Sequence, residues 1–213
     1  LKPRISVSSL ERFNKCHQQY LYASVFGLKQ LEEPEEGLKA HELGNLIHLI
    51  FFRFYTERQP GKVEAEKEFP FLRTIALEEG EKFNKDSPLT FFDFEKLLGV
   101  EDKPKTSLLW HFLQREESEE IFTPVAFELP FKEQLSVPLE KGEVSVEFRG
   151  VIDRIEVNND MKIYAVTDYK TGTPPKGADM RKGKSLQLPF YSSVAGKLLK
   201  EKSAEYAEYI PGE

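Results

Sequence analysis

The sequence predicts a mixed α/β fold, and three observations carry that expectation. Apolar residues recur at helical spacing in the first part of the chain, switch to strand-like alternation after Thr123, and return to helical spacing from Leu186 to Leu199. The 213 residues, 39% hydrophobic and with seventeen Phe, can bury a core of domain size. One domain over residues 1–213 is expected, with 57–122 as a helical insertion. A start without Met and an end on Tyr-Ile-Pro-Gly-Glu, which resembles an unfinished strand exit, are expected of a fragment of something longer.

In chain order, Ser8 and Glu11 have capping-box spacing. Leu10, Phe13, Tyr20, Leu21 and Val25 supply the apolar positions of a helix from about Ser9 to Phe26, ended by Gly27. A Glu-rich loop at Glu32–Glu36, broken by Pro34 and Gly37, precedes a second helix. There Leu43, Leu46, Ile47, Ile50, Phe51 and Phe54 fall on one face. His48 lies beside this stripe, one turn from Gly44, whose missing side chain permits close approach by another element. His41, seven residues earlier, reads as a surface residue.

Residues 57–122 read as about three acidic helices, separated by Pro60-Gly61, Ser87-Pro88 and a turn at Asp102–Pro104. Strands follow at Val125–Phe131, Val144–Val157 and Lys162–Tyr169, with connections short enough for an antiparallel meander. The Leu186–Leu199 helix and one more strand at Tyr206–Ile210 complete the order.

A single Cys excludes an internal disulfide, and neither a secretory signal nor an apolar run of membrane-spanning length is present. A cytoplasmic setting without membrane contact is the expectation. The formal net charge of -6 argues against a polyanionic partner until its distribution is considered. Residues 57–122 hold sixteen acidic and ten basic residues, whereas 162–202 hold nine basic and three acidic ones. Lys176, Arg181, Lys182 and Lys184 cluster in that second segment as a candidate phosphate path, although solvated charges would look the same.

Two anomalies mark a candidate site. After Gly150 the apolar residues Val151, Ile155 and Val157 share a row with Asp153, and a buried carboxylate needs a metal ion or a basic partner. Gly150 itself marks either a bulge or burial on both faces. On the next strand Tyr164 and Val166 share a face with Asp168 and then Lys170. Asp-X-Lys alone also describes an ordinary salt bridge; its weight comes from Asp153 on the neighbouring strand. Arg154 points away from Asp153 and suits a structural ion pair.

These residues resemble the RecB and AddB type nucleases of the PD-(D/E)XK superfamily. The likeness runs through Ser-Val-Ser-Ser-Leu-Glu-Arg-Phe-Asn-Lys-Cys-His-Gln-Gln-Tyr-Leu-Tyr, Leu-Gly-Asn-Leu-Ile-His ending at His48, and Arg-Gly-Val-Ile-Asp-Arg-Ile-Glu around Asp153. It continues through Thr-Asp-Tyr-Lys-Thr-Gly at Asp168–Gly172 and Leu-Gln-Leu-Pro-Phe-Tyr ending at Tyr191. It covers both flanks of the chain and skips most of 57–122.

The resemblance implies a restriction-endonuclease-like core and metal-dependent DNA cleavage by Asp153, Asp168 and Lys170. His48, Asp153, Asp168 and the Tyr169 carbonyl would hold Mg²⁺ or Mn²⁺, and Lys170 would orient or deprotonate the attacking water. Gln187 and Tyr191 match a Gln-x-x-x-Tyr motif that supports the site or touches DNA, and Glu128 stands where relatives often carry an outer acid. The implied partners are DNA ends or single strands and a helicase subunit or fused helicase domain. A catalytically silent DNA-binding or protein-interaction domain of the same fold is the alternative. Some relatives hold an iron-sulfur cluster through four Cys. Cys16 occupies the first of those positions, but with no other Cys the chain as given cannot bind one, and Cys16 is expected to be buried.

Overall fold

The computed structural model describes residues 4–28, 39–83, 91–100, 104–119, 121–170 and 172–212. The expected loop at Glu32–Glu36 with Pro34 and Gly37, the Ser87-Pro88 break and Asp102 lie outside them. The first half of the chain runs β1 (Arg4–Ser6), α1 (Val7–Lys15), α2 (His17–Tyr20), a π-helical turn (Leu21–Val25), α3 (Ala40–Glu57), α4 (Ala65–Phe83), α5 (Phe91–Leu98) and α6 (Leu108–Ser118). Then come β2 (Thr123–Leu139), β3 (Gly142–Asn158), β4 (Ile163–Thr167), α7 (Gly177–Arg181), α8 (Gln187–Lys202) and β5 (Ile210–Pro211). The fold is mixed α/β, and the chain forms two compact units.

The sheet unit comprises Leu1–Glu32, Thr123–Asp168 and Gly172–Glu213. β2, β3 and β4 form the expected antiparallel meander, and β3 is the central strand of the sheet. Two short parallel partners make the sheet mixed: β1 on β3, with Ile5 opposite Phe148, and β5 on β4, with Ile163 opposite Ile210. Neither has the length to show alternation in sequence, and Tyr206 falls in a 3-10 turn (Ala204–Glu208) before β5 rather than in a strand. From Ile152 to Asn158 every β3 residue is buried, so this half of the strand is covered on both faces. Its apolar core includes Ile152, Ile155, Val157, Tyr164, Tyr191, Val194 and Leu199.

Gly150 is not a bulge: it pairs in register with Phe131. A Cβ there would lie 2.7 Å from the Phe131 ring and 3.0 Å from the Tyr191 hydroxyl, so the glycine marks close packing. Gly196 of α8 plays the same part against the Tyr164 hydroxyl, at 2.7 Å.

The first helix is not continuous. α1 stops at Cys16, which adopts an extended conformation, caps the start of α2 and accepts from the Gln19 N–H through Sγ. Cys16 is exposed, which corrects its expected burial: as a cap it sits at a helix junction, not on an apolar face. The capping box is two residues earlier than read, between Ser6 and Ser9. Gly27 does end the segment, in the left-handed region at φ 67°.

The helical unit comprises Glu33–Phe122 and Tyr169–Thr171. The α3 stripe is buried as its spacing predicts, with Leu46, Ile50 and Phe54 fully enclosed. Each such side chain contributes about 1.5–3 kcal/mol. Phe51 stacks on Phe112 of α6 at 3.8 Å, and Trp110 and Leu113 complete that face. A Cβ at Gly44 would meet nothing within 4 Å, so Gly44 marks no close approach among the described residues. His41 is exposed, as expected. No described helix is long and apolar enough to cross a membrane.

Candidate active site

In the sheet unit the β3–β4 register brings the two acids together. Arg154 pairs with Thr167, the last residue of β4, so Asp153 and Asp168 each directly adjoin the end of that antiparallel ladder, and the charges of both act on the Tyr191 hydroxyl. On the other edge of β3, Phe127 pairs with Arg154 and Leu129 with Ile152, which sets Glu128 opposite Asp153. Carboxylate oxygens of Glu128 and Asp153 lie within 4.8 Å of each other. Asp153 is 7% exposed.

Glu128 has a backbone φ of +42°, unusual for a side chain within a strand. Such a conformation costs on the order of 1–3 kcal/mol and persists only where its surroundings impose it. Arg154, on the opposite face, ion-pairs with Glu156 at 3.0 Å, both buried, and Thr167 donates to Glu156 at 2.8 Å. Its structural role is therefore as read.

The α8 residues close the acid cluster. Gln187 Nε2 donates to Asp168 Oδ1 at 2.6 Å. Tyr191, one turn further, is buried, and its hydroxyl rests against Gly150. Burial raises the Tyr191 pKa above the ordinary phenol range; a hydrogen bond from Gln187 opposes this, and the charges of Asp168 and Asp153 add to it. The phenol therefore stays protonated across the neutral range.

One residue of this arrangement was read differently from sequence. Glu11 does not serve the α1 capping box; its Oε1 accepts from the backbone N–H groups of Leu186 and Gln187, at 2.6 and 3.0 Å. It thus satisfies two orphan donors at the α8 N-terminus and places negative charge at the positive end of the helix dipole. A chain of contacts runs from α1 through Gln187 to Asp168. The only sequence signal for it was the place of Glu11 in the N-terminal motif, since its partners lie some 175 residues away.

The same unit contains a cavity of about 620 Å³ beside Glu11, whose lining includes Arg12, Lys15 and Lys184. Asn14 of α1 donates to the Gly183 carbonyl at 3.0 Å and so joins the helix to the basic turn. Lys176, Arg181, Lys182 and Lys184 are all exposed.

In the helical unit His48 and Tyr169 meet. The His48 Nε2 is 3.2 Å from the Tyr169 carbonyl oxygen, and the two rings contact edge to face at 5.7 Å. Lys170 is exposed and lines one cavity with His48.

Asp168-Tyr169-Lys170 reads D-X-K, at the end of a strand paired to the one that carries Asp153. A family model of the PD-(D/E)XK nuclease superfamily matches residues 4–210. The chain belongs to the PD-(D/E)XK nuclease superfamily. A search among curated proteins found no match. As in that superfamily's restriction-endonuclease-like core, the mixed sheet of this nuclease-superfamily chain brings acids from neighbouring strands together.

Proposed function

We propose that this chain is a divalent-metal-dependent deoxyribonuclease, an exonuclease on linear or single-stranded DNA that serves recombination and repair as the nuclease module of a helicase-nuclease. The observation that carries the reading is the acid cluster: a buried Asp153 with a Glu128 oxygen within 4.8 Å, and Asp168 held by Gln187. Two oxygens that bind one divalent ion at about 2.0–2.6 Å lie at most about 5 Å apart, so Glu128 and Asp153 fit a shared ion. His48 Nε2 and the Tyr169 carbonyl, 3.2 Å apart, meet the same criterion.

In this reading Asp153, Asp168, His48 and the Tyr169 carbonyl hold Mg²⁺ or Mn²⁺, with Glu128 as a further acid. When bound, the ion supplies Lewis-acid polarisation of a phosphate oxygen and a lowered pKa for water. Gln187 fixes the Asp168 carboxylate, and a charge-assisted bond of this kind is worth about 1.5–3 kcal/mol. Tyr191 keeps a protonated phenol beside the two aspartates. Lys170 orients or deprotonates the attacking water and offsets charge that develops on the phosphate. Arg12, Lys15 and Lys184 bind the DNA backbone, as counterion release requires of a strand path in a net-acidic protein.

The test uses labelled linear single- and double-stranded DNA with Mg²⁺, Mn²⁺ or EDTA. Metal-dependent release of nucleotides from ends is expected, and Asp168→Ala should abolish it. Cutting by Asp168→Ala at the parent rate would overturn the site assignment; binding without cutting under every metal would leave a silent DNA-binding domain.

A further inference from the structure

The helical unit has a second cavity, of about 310 Å³, that the acid cluster does not explain. Its less exposed lining is apolar: Ile47 and Leu108 with the rings of Phe51, Phe112 and Tyr169, Phe51 being stacked on Phe112 at 3.8 Å and 16° and set edge-on to Tyr169 at 4.9 Å. Its exposed lining is basic: His111, Arg115 and Lys170. On α6, Arg115 lies one turn from both His111 and Phe112, at i+4 and i+3 spacing, so it neighbours each of them on the helix surface. That surface is basic and aromatic in a segment with an excess of acids, whose own neighbours here are Glu116, Glu117 and Glu119. Arg115 Nε pairs with Glu119 at 2.9 Å, an exposed contact four residues apart that holds the guanidinium at the mouth.

Aromatic rings and cationic donors lining one cavity suit a nucleotide, with its base against the rings and its phosphate on the cations. The volume is at the lower end for a ligand pocket and suits one residue rather than an oligomer. We propose that this cavity holds the base of the nucleotide next to the scissile phosphate, with His111 and Arg115 on that nucleotide's phosphate. The inference rests on the proposed nuclease function, because the placement next to the cut comes from Lys170 and His48, which line the same cavity. A base can enter only when unstacked from its neighbours, so the preferred substrate is an unpaired strand or a frayed end. The helical insertion thereby selects the substrate.

The test scans 2-aminopurine along a single-stranded oligonucleotide and titrates it with the protein in Ca²⁺ and in EDTA, independently of cleavage. One position should change fluorescence on binding, and the matching fully paired duplex should not. His111→Ala/Arg115→Ala, both at exposed positions, should lose that signal and raise KM for single strands about tenfold, through the lost contacts to the phosphate, with kcat held. Arg115→Lys should recover part of the affinity. A double variant that retains the fluorescence change and the parent KM would overturn the proposal while cleavage by the parent upholds the nuclease reading. An inactive parent that still shows the position-specific signal would keep the pocket and remove the nuclease. An equal signal from the duplex would also overturn it.

Discussion

The sheet unit and the helical unit are built on different principles. In the sheet unit one strand, β3, organises everything: β2 and β4 pair along it, and register sets Glu128 opposite Asp153 and brings β4 to its end next to Asp168. In the helical unit side chains from separate helices meet through an apolar core, and a cluster of charges links α3 to α4. Arg53 contacts Glu57, Glu78 and Glu79 at 2.7, 2.9 and 2.5 Å, and Lys82 contacts Glu79 at 2.7 Å. A ladder places groups by counting residues, whereas a helical bundle places them by packing. The first tolerates little change at the backbone, and the second responds to pH.

The single Trp, Trp110, is buried in the helical unit and reports on it alone, so the contrast can be tested. The largest expected effect is catalytic. Asp153→Asn should lower the cleavage rate by about a hundredfold to a thousandfold, as loss of one preorganised charge does, with Trp110 fluorescence unchanged. A shifted Trp110 transition would show that Asp153 also supports the helical unit.

Next comes backbone packing. Gly150→Ala forces a methyl group into Phe131 and Tyr191 and should destabilise the sheet by about 1–3 kcal/mol, read by far-UV circular dichroism during thermal unfolding. No shift in that transition would mean that the rings move aside without penalty.

The helical unit should show the reverse sensitivity. Glu79 is almost fully buried; burial raises its pKa, but the hydrogen bonds from Lys82 and Arg53 outweigh this and hold it below the ordinary carboxylate range. The folded-state pKa is depressed, so this stabilisation is complete above the unfolded-state value and is lost as pH falls through the folded one. Glu79→Gln should flatten the acid limb of the Trp110 transition and cost on the order of 1–3 kcal/mol at neutral pH. An unchanged acid limb would place the pH sensitivity elsewhere.

The smallest effect belongs to Glu11. Glu11→Gln keeps an acceptor for the α8 N-terminus but loses the charge, and Glu11→Ala loses both, at about 0.5–2 kcal/mol. Cleavage should fall in the same order, through Gln187 and Asp168. Equal stability of both variants and the parent would remove the contact chain from α1 to Asp168.

Legibility followed the length of the element rather than the unit. The α3 stripe and the meander were readable because helical and strand periods mark which side chains face a core over many residues. β1, β5 and α7 span three, two and five residues, too short for any period to appear. The break at Cys16 was missed because apolar spacing continues across it. Asp153 stood out as an acid in an apolar row, and Gly150 as a change of phase there, though only the structure distinguished close packing from a bulge.

By itself the sequence determined what the longer segments become and which residues can carry chemistry, because hydrophobic period and residue type are local properties. Only the tertiary structure decided that Glu11 caps α8, that Gln187 reaches Asp168, that Glu128 lies opposite Asp153 with a positive φ, and that Cys16 is exposed. Each depends on segments far apart in the chain, whose meeting is set by the register and packing of the whole unit rather than by any local pattern.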